Sequence, residues 1–250
     1  MGLTGKIAAA LLLTIFIFSF LSPYIVSYNP DSIDLDSLKN SPSMKHLLGT
    51  DNKGRDILSR VLYGGRISIS IAVLAALISM AIGLFIGLLS GYFGGKLDTF
   101  FMAAVDLILA FPSLLLAIGV SVIFPPGIYT VMIALSAVGW ASFARLIRGQ
   151  VISLRESSFV EAAKAIGCSN VRIILVHILP QCIPLAFVMT GLKLGGYILT
   201  EAALSFLGLG SQPPTATWGS MISANRVFIS SAPWMVLSPG ILIAITALSF

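Results

Sequence analysis

The sequence predicts an all-α integral membrane protein with about six transmembrane helices. Apolar residues make up 57% of its 250 residues and charged residues only 10%, whereas soluble domains carry about 25% charged residues. The mean hydropathy is +0.99. These values exclude a disordered chain, a coiled coil and a disulfide-rich secreted scaffold. The net charge of +5 does not indicate a nucleic-acid partner, because the basic residues are scattered among apolar runs.

Each predicted span is an apolar run near the roughly 20 residues that a helix needs to cross the hydrocarbon core. The six runs are residues 6–28, 67–90, 99–124, 128–143, 178–204 and 234–250. The first run is longer than a signal-peptide core and no small-residue cleavage site follows it, so we expect a retained helix. The runs predict two parts: residues 1–66, with one helix and a polar loop, and a five-helix core over residues 67–250.

Small residues form a stripe on the second predicted span. Its members recur every four residues and are Ser79, Gly83, Gly87 and Gly91. Such stripes let helices approach closely, either within this chain or against a second subunit. Gly191 and Gly195 repeat the pattern on the fifth span. Pro112 and Pro184 are placed where they can kink their helices.

Polar residues inside membrane spans are costly and usually face a partner or a water-filled path. Asp106, Lys193 and Glu201 are such residues. We expect each of them either to line a translocation path or to pair across an interface, and Lys193 could instead pair structurally with Asp106. Arg145 and Arg148, at the end of the fourth span, are expected to contact lipid phosphates.

Residues 144–177 are predicted to contain two short helices between the fourth and fifth spans. Ser158 and Glu161 have the spacing of a capping box, in which both side chains satisfy free N–H groups at a helix start. Gly167 then supplies the left-handed stop.

The second short helix is capped by Ser169 or Asn170, and Pro180 is expected to interrupt it where the fifth span begins. Two helices this short cannot bury a core of their own. They therefore either form a linker at the membrane or dock into a partner protein.

This region resembles the EAA loop of permease subunits of binding-protein-dependent ABC importers. The matching residues, in the spacing of that motif, are Glu161, Ala162, Ala163, Gly167, Leu179 and Pro180. His177 stands where the motif usually has isoleucine, a variant that resembles the peptide and nickel branch. Residues 46–60, 106–114 and 201–219 also resemble segments of the second ("C") permease of that branch. The family usually continues past residues 247–250 into a short charged tail, so nothing is carried over for that end.

The resemblance implies a role for each residue of the motif. Glu161 would pair with a basic residue of an ATPase subunit, or else only cap its own helix. Ala162 and Ala163 are small enough for close docking, and Gly167 lets the chain turn back toward the fifth span. The residues assigned to ATPase coupling are therefore Ser158, Glu161, Ala162, Ala163, Gly167 and Pro180.

The Lys and Arg residues divide equally between the two sides and do not orient the chain. The resemblance does orient it, because the EAA loop faces the cytoplasm. Both termini would then lie on the cytoplasmic side of a bacterial or archaeal cell membrane, with the loops at residues 29–66 and 205–233 on its external side. The implied partners are a second homologous permease, two ABC ATPase subunits, an extracytoplasmic solute-binding protein and membrane lipid.

The sequence has no nucleotide-binding motif of its own. Residues 94–96 come nearest to a P-loop, but Ser90 and Leu97 stand where that loop needs a glycine and a hydroxyl. ATP and magnesium are therefore expected on the partner ATPases, with no cofactor on this chain. No catalytic group and no metal site is predicted, since His46 and His177 are isolated from other metal ligands.

These features predict a permease subunit, not an enzyme, that forms half of the pathway of an ATP-driven importer for small peptides. A nickel or metal-chelate importer is the alternative substrate class. A secondary transporter or channel is the alternative mechanism. It would need charged relays in several helices and inverted repeats, which this sequence does not display.

Overall fold

The computed structural model describes residues 2–250, in which helices are joined by turns and loops and no strand occurs beyond a single bridge between Thr50 and Asp56. The predicted all-α class is confirmed. The helices are, in chain order, α1 Leu3–Phe20, α2 Ser22–Ile25, α3 Ile57–Phe93, α4 Gly95–Leu109, α5 Ser113–Ile123, α6 Ile128–Arg155, α7 Ser158–Ala165, α8 Asn170–Arg172, α9 Leu179–Phe206, α10 Trp218–Asn225 and α11 Trp234–Ser249. A π-helical stretch, Ile173–Ile178, joins α8 to α9.

Six apolar helical segments occur in the predicted order, but they differ in length. Four are long and apolar enough to cross a membrane: Leu3–Phe20, Ile57–Phe93, Ile128–Arg155 and the continuous helix Asn170–Phe206. α4 and α5 meet the same criterion as a bent pair, and α11 is a shorter apolar helix of 16 residues. Residues 2–250 therefore contain four unbroken spans, or five if the bent pair is one span.

The third predicted span, residues 99–124, is broken into two helices. α4 and α5 meet at an angle of 96°. Pro112 lies at the break; it has no N–H to donate, and it disfavours the helical conformation for the residue before it. Two prolines were expected to kink their helices. Pro112 lies at the break between α4 and α5, whereas Pro184 lies within the continuous helix α9.

The fourth span is longer than predicted. α6 continues past residue 143 to Arg155. The reason is that Ala144, Ile147 and Val151, which recur at helical spacing, are all completely buried.

The prediction that Pro180 interrupts the second short helix is wrong. α8, the π-helical stretch and α9 form one continuous helix, Asn170–Phe206. The N–H of Leu179 bonds the carbonyl of Ile174, five residues back. This wider turn directly before Pro180 leaves room for its ring, and the missing N–H needs no acceptor.

The chain forms two compact units, of which the first comprises residues 2–74, 121–133 and 194–250. Its core contains Ile57, Val61 and Met235, all nearly inaccessible to solvent. The side chain of Trp218 is completely buried, and its Nε1 donates to the carbonyl of Val61 at 2.9 Å. The beginning of α3 is thereby packed against the first residue of α10.

One buried ion pair and one buried hydrogen-bonded pair order the polar segment of this unit that precedes α3. Arg55 contacts Asp51 through Nε and Nη2, each 2.7 Å from Oδ2. Nδ1 of His46 lies 2.9 Å from Oδ1 of Asp56. Each partner of both pairs is at least nine-tenths buried, so removing one would leave a buried polar group without its partner.

Arg60 ties this segment to a distant part of the same unit. Its Nη1 donates to the carbonyl of Pro30 at 2.7 Å and to Oδ1 of Asp31 at 2.9 Å. Its Nη2 reaches the carbonyl of Pro214 at 3.5 Å. The non-helical chain before α3 is thus held in a fixed arrangement.

The second unit comprises residues 75–120 and 134–193. Its main cluster brings together the ends of α3 and α6 with α7, the π-helical stretch and the start of α9. The buried members are Leu88, Tyr92, Ile147, Val151, Val160, Ala163, Ile173, Ile174, Ile178, Cys182 and Ala186. The short helix α7 therefore does not need a core of its own, because α3 and α6 supply one.

Candidate coupling surface and polar sites of the membrane helices

α7 begins one residue earlier than the predicted capping box requires. Ser157 occupies the N-cap position, and its backbone carbonyl accepts from the N–H groups of Val160 and Glu161, both at 3.1 Å. Its hydroxyl donates instead to the carbonyl of Leu154 at 2.5 Å. The predicted box between Ser158 and Glu161 is therefore not formed, since Ser158 is already inside the helix.

The end of α7 matches the prediction. Gly167 has a φ of +81°, in the left-handed region that favours glycine. The N–H of Gly167 bonds the carbonyl of Lys164 at 3.0 Å, and the N–H of Cys168 bonds the carbonyl of Ala163 at 3.0 Å. These two bonds make a Schellman motif, which satisfies carbonyls that the helix end would leave free.

α7 has an inner and an outer face. Val160 and Ala163, three residues apart, lie on the inner face with exposures of 0% and 4% and pack into the main cluster of the second unit. Four of the residues exposed on the other side define what we term the coupling face: Phe159, Glu161, Ala162 and Ile166. Of the two alanines expected to allow close docking, Ala162 is therefore exposed, whereas Ala163 is buried within this chain.

The coupling face combines apolar surface with an unengaged charge. Phe159 is 41% exposed and Ile166 is 80% exposed. Within residues 2–250 no hydrogen bond or ion pair to the Glu161 carboxylate occurs, so it does not cap its own helix. A short amphipathic helix with exposed large apolar side chains has the character of a protein interface.

Two polar contacts fix the connection on either side of α7. The hydroxyl of Tyr92 donates to Oδ1 of Asn170 at 2.9 Å, and Nη1 of Arg155 donates to the carbonyl of Tyr92 at 3.2 Å. Ser169, one of the two residues predicted to cap the next helix, accepts a hydrogen bond from the N–H of Arg172 at 3.4 Å. The loop is therefore attached at both ends to the last turn of α3.

The two arginines in the second half of α6 bind carboxylates of α4, a kind of partner that the expected contact with lipid phosphates did not include. Arg145 pairs with Asp106, and the two side chains are 51% and 69% exposed. Arg148 donates two short hydrogen bonds, of 2.5 and 2.6 Å, to the carboxylate of Asp98. Asp106 is thus occupied by Arg145, and the suggested pair with Lys193 does not form.

Lys193 and Glu201 have different surroundings within α9. Lys193 is partly buried, and no carboxylate in the described residues lies within ion-pair distance of it. Glu201 is completely buried, and its Oε1 accepts from the hydroxyl of Ser205 at 2.7 Å. No partner for its Oε2 is found in residues 2–250. Of the three predicted polar residues, only Lys193 is both accessible and uncommitted in the described chain.

The glycine stripe packs against α6 of the same chain, which resolves the alternative left open by the sequence. A Cβ added at Gly83 would lie 2.3 Å from Cβ of Phe143, and one at Gly87 would lie 2.8 Å from Cβ of Ile147. At Gly91 the nearest atom would be Cβ of Val151, at 2.8 Å. Ser79, which begins the stripe, is also buried.

Only one of the two glycines repeated on α9 lies at a close contact between helices. A Cβ at Gly195 would come within 2.6 Å of the carbonyl oxygen of Ala247 in α11, whereas one at Gly191 would meet no atom within 4 Å. Gly195 therefore lets α9 and α11 approach closely, and Gly191 does not.

Sequence reasoning missed Asp98 and Tyr92. Asp98 lies in the first turn of α4, where a carboxylate is favoured by the helix dipole, but that signal does not identify its partner Arg148. The exposed apolar pair of the coupling face had a detectable signal, since Phe159 and Ile166 are seven residues apart on one helical face. In residues 2–250 no group of three or more His, Cys, Asp or Glu side chains is placed to hold a metal ion.

The chain has apolar spans, an amphipathic helix α7 packed against the ends of α3 and α6, and a buried stripe of small residues. Together these features define it as a membrane permease-type subunit. It belongs to the family described as binding-protein-dependent transport system inner membrane component, whose profile matches residues 83–250. The predicted family is thereby confirmed.

Relatives share most of the chain's length. The chain is 41% identical over 251 aligned residues to the glutathione transport system permease protein GsiD of Escherichia coli O157:H7, covering 100% of this chain and 82% of that protein. It is 41% identical over 245 residues to the dipeptide transport system permease protein DppC of Alkalihalophilus pseudofirmus, covering 98% and 81%. These relatives are permeases and not enzymes, in agreement with the prediction for this chain.

Among solved structures, the fold is similar to a chain of the MetNI methionine ABC transporter in an inward-facing conformation. The TM-score is 0.60 at 18% sequence identity, and the match covers 76% of this chain and 90% of that chain. A second crystal form of the same transporter gives a TM-score of 0.61. The likeness supports the predicted ABC permease fold.

Proposed function

We propose that this chain is one of two permease subunits of an ATP-driven importer for small peptides. The observation that carries the proposal is the 41% identity, along nearly the whole chain, to permeases of a glutathione and a dipeptide transport system. Glutathione is itself a tripeptide, so the substrates named for both relatives are short peptides with free carboxylates. The peptide class is therefore favoured over nickel or a metal chelate.

The coupling face is where an ATPase subunit would dock. Phe159 and Ile166 offer apolar surface for a cleft in the partner, while Glu161 offers a charge for a basic residue at the rim of that cleft. Ala162 lets the partner approach closely. On the opposite face, Val160 and Ala163 fix α7 to the ends of α3 and α6, so movement of the docked helix reaches the long helices.

The other residues assigned to coupling act on the path of the chain. Gly167 allows the left-handed turn after α7. Ser158 forms the first turn of α7, and Pro180 follows the π-helical stretch that leads into α9. Their role is to hold the coupling face at a fixed position relative to α9.

Docking of ATPases would require α7 to lie on the cytoplasmic side of a bacterial inner membrane. Both termini would lie on that same side. ATP and magnesium would be bound by two ATPase subunits, and a second homologous permease would complete the pathway. A solute-binding protein would meet the opposite surface, which includes residues 29–66 and 205–233. Lipid would surround the apolar helices.

Lys193 is the residue of the three polar candidates best suited to the translocation path. It carries a charge within an apolar helix and lacks a carboxylate partner in the described chain. A cation at such a position would attract the carboxylate of a peptide. Asp106 is engaged by Arg145, and Glu201 is enclosed beside Ser205, so both are better explained as structural groups.

The test of the function is purification of the tagged chain from its native membrane in mild detergent, followed by uptake assays in liposomes. We expect a second permease and P-loop ATPases to copurify, and the complex to import dipeptides or glutathione only with ATP and a binding protein. Uptake by the chain alone without ATP would favour a secondary transporter. ATP-dependent uptake of nickel but of no peptide would favour the metal importer.

The coupling role has its own test in Glu161→Arg. Reversing this charge should abolish peptide uptake while ATPase activity persists, because docking of the coupling face is weakened and membrane insertion is not. Glu156→Arg is the matched control, since Glu156 is also exposed, lies just before α7 and is outside the coupling face. Normal uptake by Glu161→Arg, or equal loss in both variants, would contradict the assignment.

A further inference from the structure

A groove lies in the first unit between the beginning of the apolar run of α3 and the beginning of α6. Its volume is about 370 Å³. The lining residues are Arg66, Ile67, Ser70, Ile71 and Leu74 from α3, with Ile128, Tyr129 and Met132 from α6. We refer to it as the Arg66 groove. Neither the docking surface nor the polar sites described above include it.

The Arg66 groove has one charged end and an apolar body. Arg66 is exposed, and within residues 2–250 no ion pair or hydrogen bond engages its guanidinium. Arg55, Arg60 and Arg148, in contrast, all bind carboxylates of this chain. The hydroxyl of Tyr129, a residue 72% exposed, is one of the few other polar groups of the lining.

The length of the groove matches the depth of one lipid leaflet. Arg66 directly precedes the apolar run of α3, and Leu74 lies eight residues after Arg66. Eight residues of helix span about 12 Å at 1.5 Å per residue. Half of a hydrocarbon core of roughly 30 Å is about 15 Å. The charged end therefore falls at the level of the headgroups when the apolar body lies within the leaflet.

We propose that the Arg66 groove binds one anionic phospholipid. The guanidinium of Arg66 would pair with the phosphodiester, because Arg binds phosphate through two parallel N–H donors. Tyr129 has the aromatic ring and hydroxyl that favour the membrane interface. One acyl chain would lie along Ile67, Ile71 and Leu74. The proposal does not depend on the substrate or on the ATPase partners.

Charge and lining favour a lipid over the two other possible occupants. A peptide exposes amides along its length and would need polar groups throughout the groove, whereas the body of this groove is apolar. A helix of a second permease would need small residues for close packing and a carboxylate for Arg66. The α3 side of the groove carries the branched side chains of Ile67, Ile71 and Leu74, and Ser70 is its one small residue.

The first test is lipid retention by the intact transporter complex in nanodiscs of phosphatidylglycerol and phosphatidylethanolamine. After mild delipidation, native mass spectrometry should find phosphatidylglycerol held by the wild-type complex. Arg66→Gln should lower that retention about tenfold or more, as expected for the loss of a hydrogen-bonded charge. Lys96→Gln, which removes an exposed cation outside the groove, should leave it unchanged. Equal retention in Arg66→Gln and wild type would overturn the proposal.

The second test identifies the occupant directly and does not require the Arg66 variant to fold. A benzoylphenylalanine at Leu74, which is 50% exposed, is irradiated in the membrane. An adduct with the mass of a phospholipid is the expected product. An adduct with a second permease or with transported peptide would show another occupant and overturn the proposal.

Discussion

Arg148 holds Asp98 at both carboxylate oxygens. Nε of Arg148 lies 2.5 Å from Oδ1, and Nη2 lies 2.6 Å from Oδ2. The hydroxyl of Ser90, near the end of α3, donates to the same Oδ1. The carboxylate thus joins three helices, and its side chain is only 19% exposed.

The Arg148–Asp98 pair should contribute more to the free energy of unfolding than the Arg145–Asp106 pair. Asp98→Asn is expected to lower the free energy of unfolding by about 1–3 kcal/mol, because Arg148 loses a charged acceptor. Arg145→Gln should cost less than about 1 kcal/mol, since the Arg145 pair with Asp106 is largely exposed. The check is the melting temperature of each purified variant in one detergent. Equal shifts would show that the two pairs are equivalent.

Gly87→Ala should separate α3 from α6. The added Cβ would lie 2.8 Å from both the carbonyl oxygen of Ala144 and Cβ of Ile147, so one helix must move. Overpacking of this kind costs about 1–3 kcal/mol. Gly149→Ala in α6 is the control, because its Cβ would meet no atom within 4 Å.

Gly149→Ala should leave the melting temperature unchanged or raise it, since alanine is the better helix former by roughly 1 kcal/mol. A fall in melting temperature for Gly149→Ala as large as that for Gly87→Ala would contradict the packing described for the stripe.

Gly167→Ala should strain the turn after α7 without any steric clash. The φ of Gly167 is +81°, and no atom lies within 4 Å of an added Cβ. The left-handed conformation costs an alanine about 1–2 kcal/mol. Gly167→Asn should be milder, because asparagine tolerates this region better. Peptide uptake and ATPase activity of the complex are measured for both, with the order glycine, asparagine, alanine expected for uptake. An alanine variant as active as wild type would remove Gly167 from the coupling assignment.

The two alanines of the motif should respond differently to enlargement. Ala163→Leu places a larger side chain in a site that is 4% exposed, and it should lower the melting temperature of the isolated permease by overpacking. Ala162→Leu should leave that temperature unchanged, because Ala162 is exposed, and should instead weaken copurification of the ATPases. Parallel melting and copurification assays on both variants distinguish the inner face from the coupling face. Loss of stability in Ala162→Leu would place that residue on the inner face.

Local conformation was predictable where one residue type is required. The turn at Gly167 is an example, since a positive φ favours glycine over other residues. The close approach at Gly83 and Gly87 was also predictable, because a stripe of small residues permits little else. Which helix would fill the stripe was not predictable, since Phe143 and Ile147 carry no local mark of that contact.

Long-range pairing and proline effects were harder to predict. Arg145 and Arg148 could bind lipid or protein, and the choice depends on where α4 lies, which no local pattern encodes. Pro112 and Pro180 have the same chemistry, yet the chain bends by 96° beside Pro112 and continues through Pro180. The difference arises from the π-helical stretch before Pro180, which has no sequence signature of its own.

Three hydrogen bonds of the first unit close only after most of the chain has been made. Arg60 bonds Pro214, Trp218 bonds Val61 and Trp234 bonds Thr50, across separations of 154, 157 and 184 residues. At a synthesis rate of roughly 5–20 residues per second, Val61 leaves the ribosome about 8–30 s before its tryptophan. The polar segment before α3 and the first turns of α3 therefore lack these three bonds through most of membrane insertion, and a nascent chain that stops short of residue 214 lacks all of them.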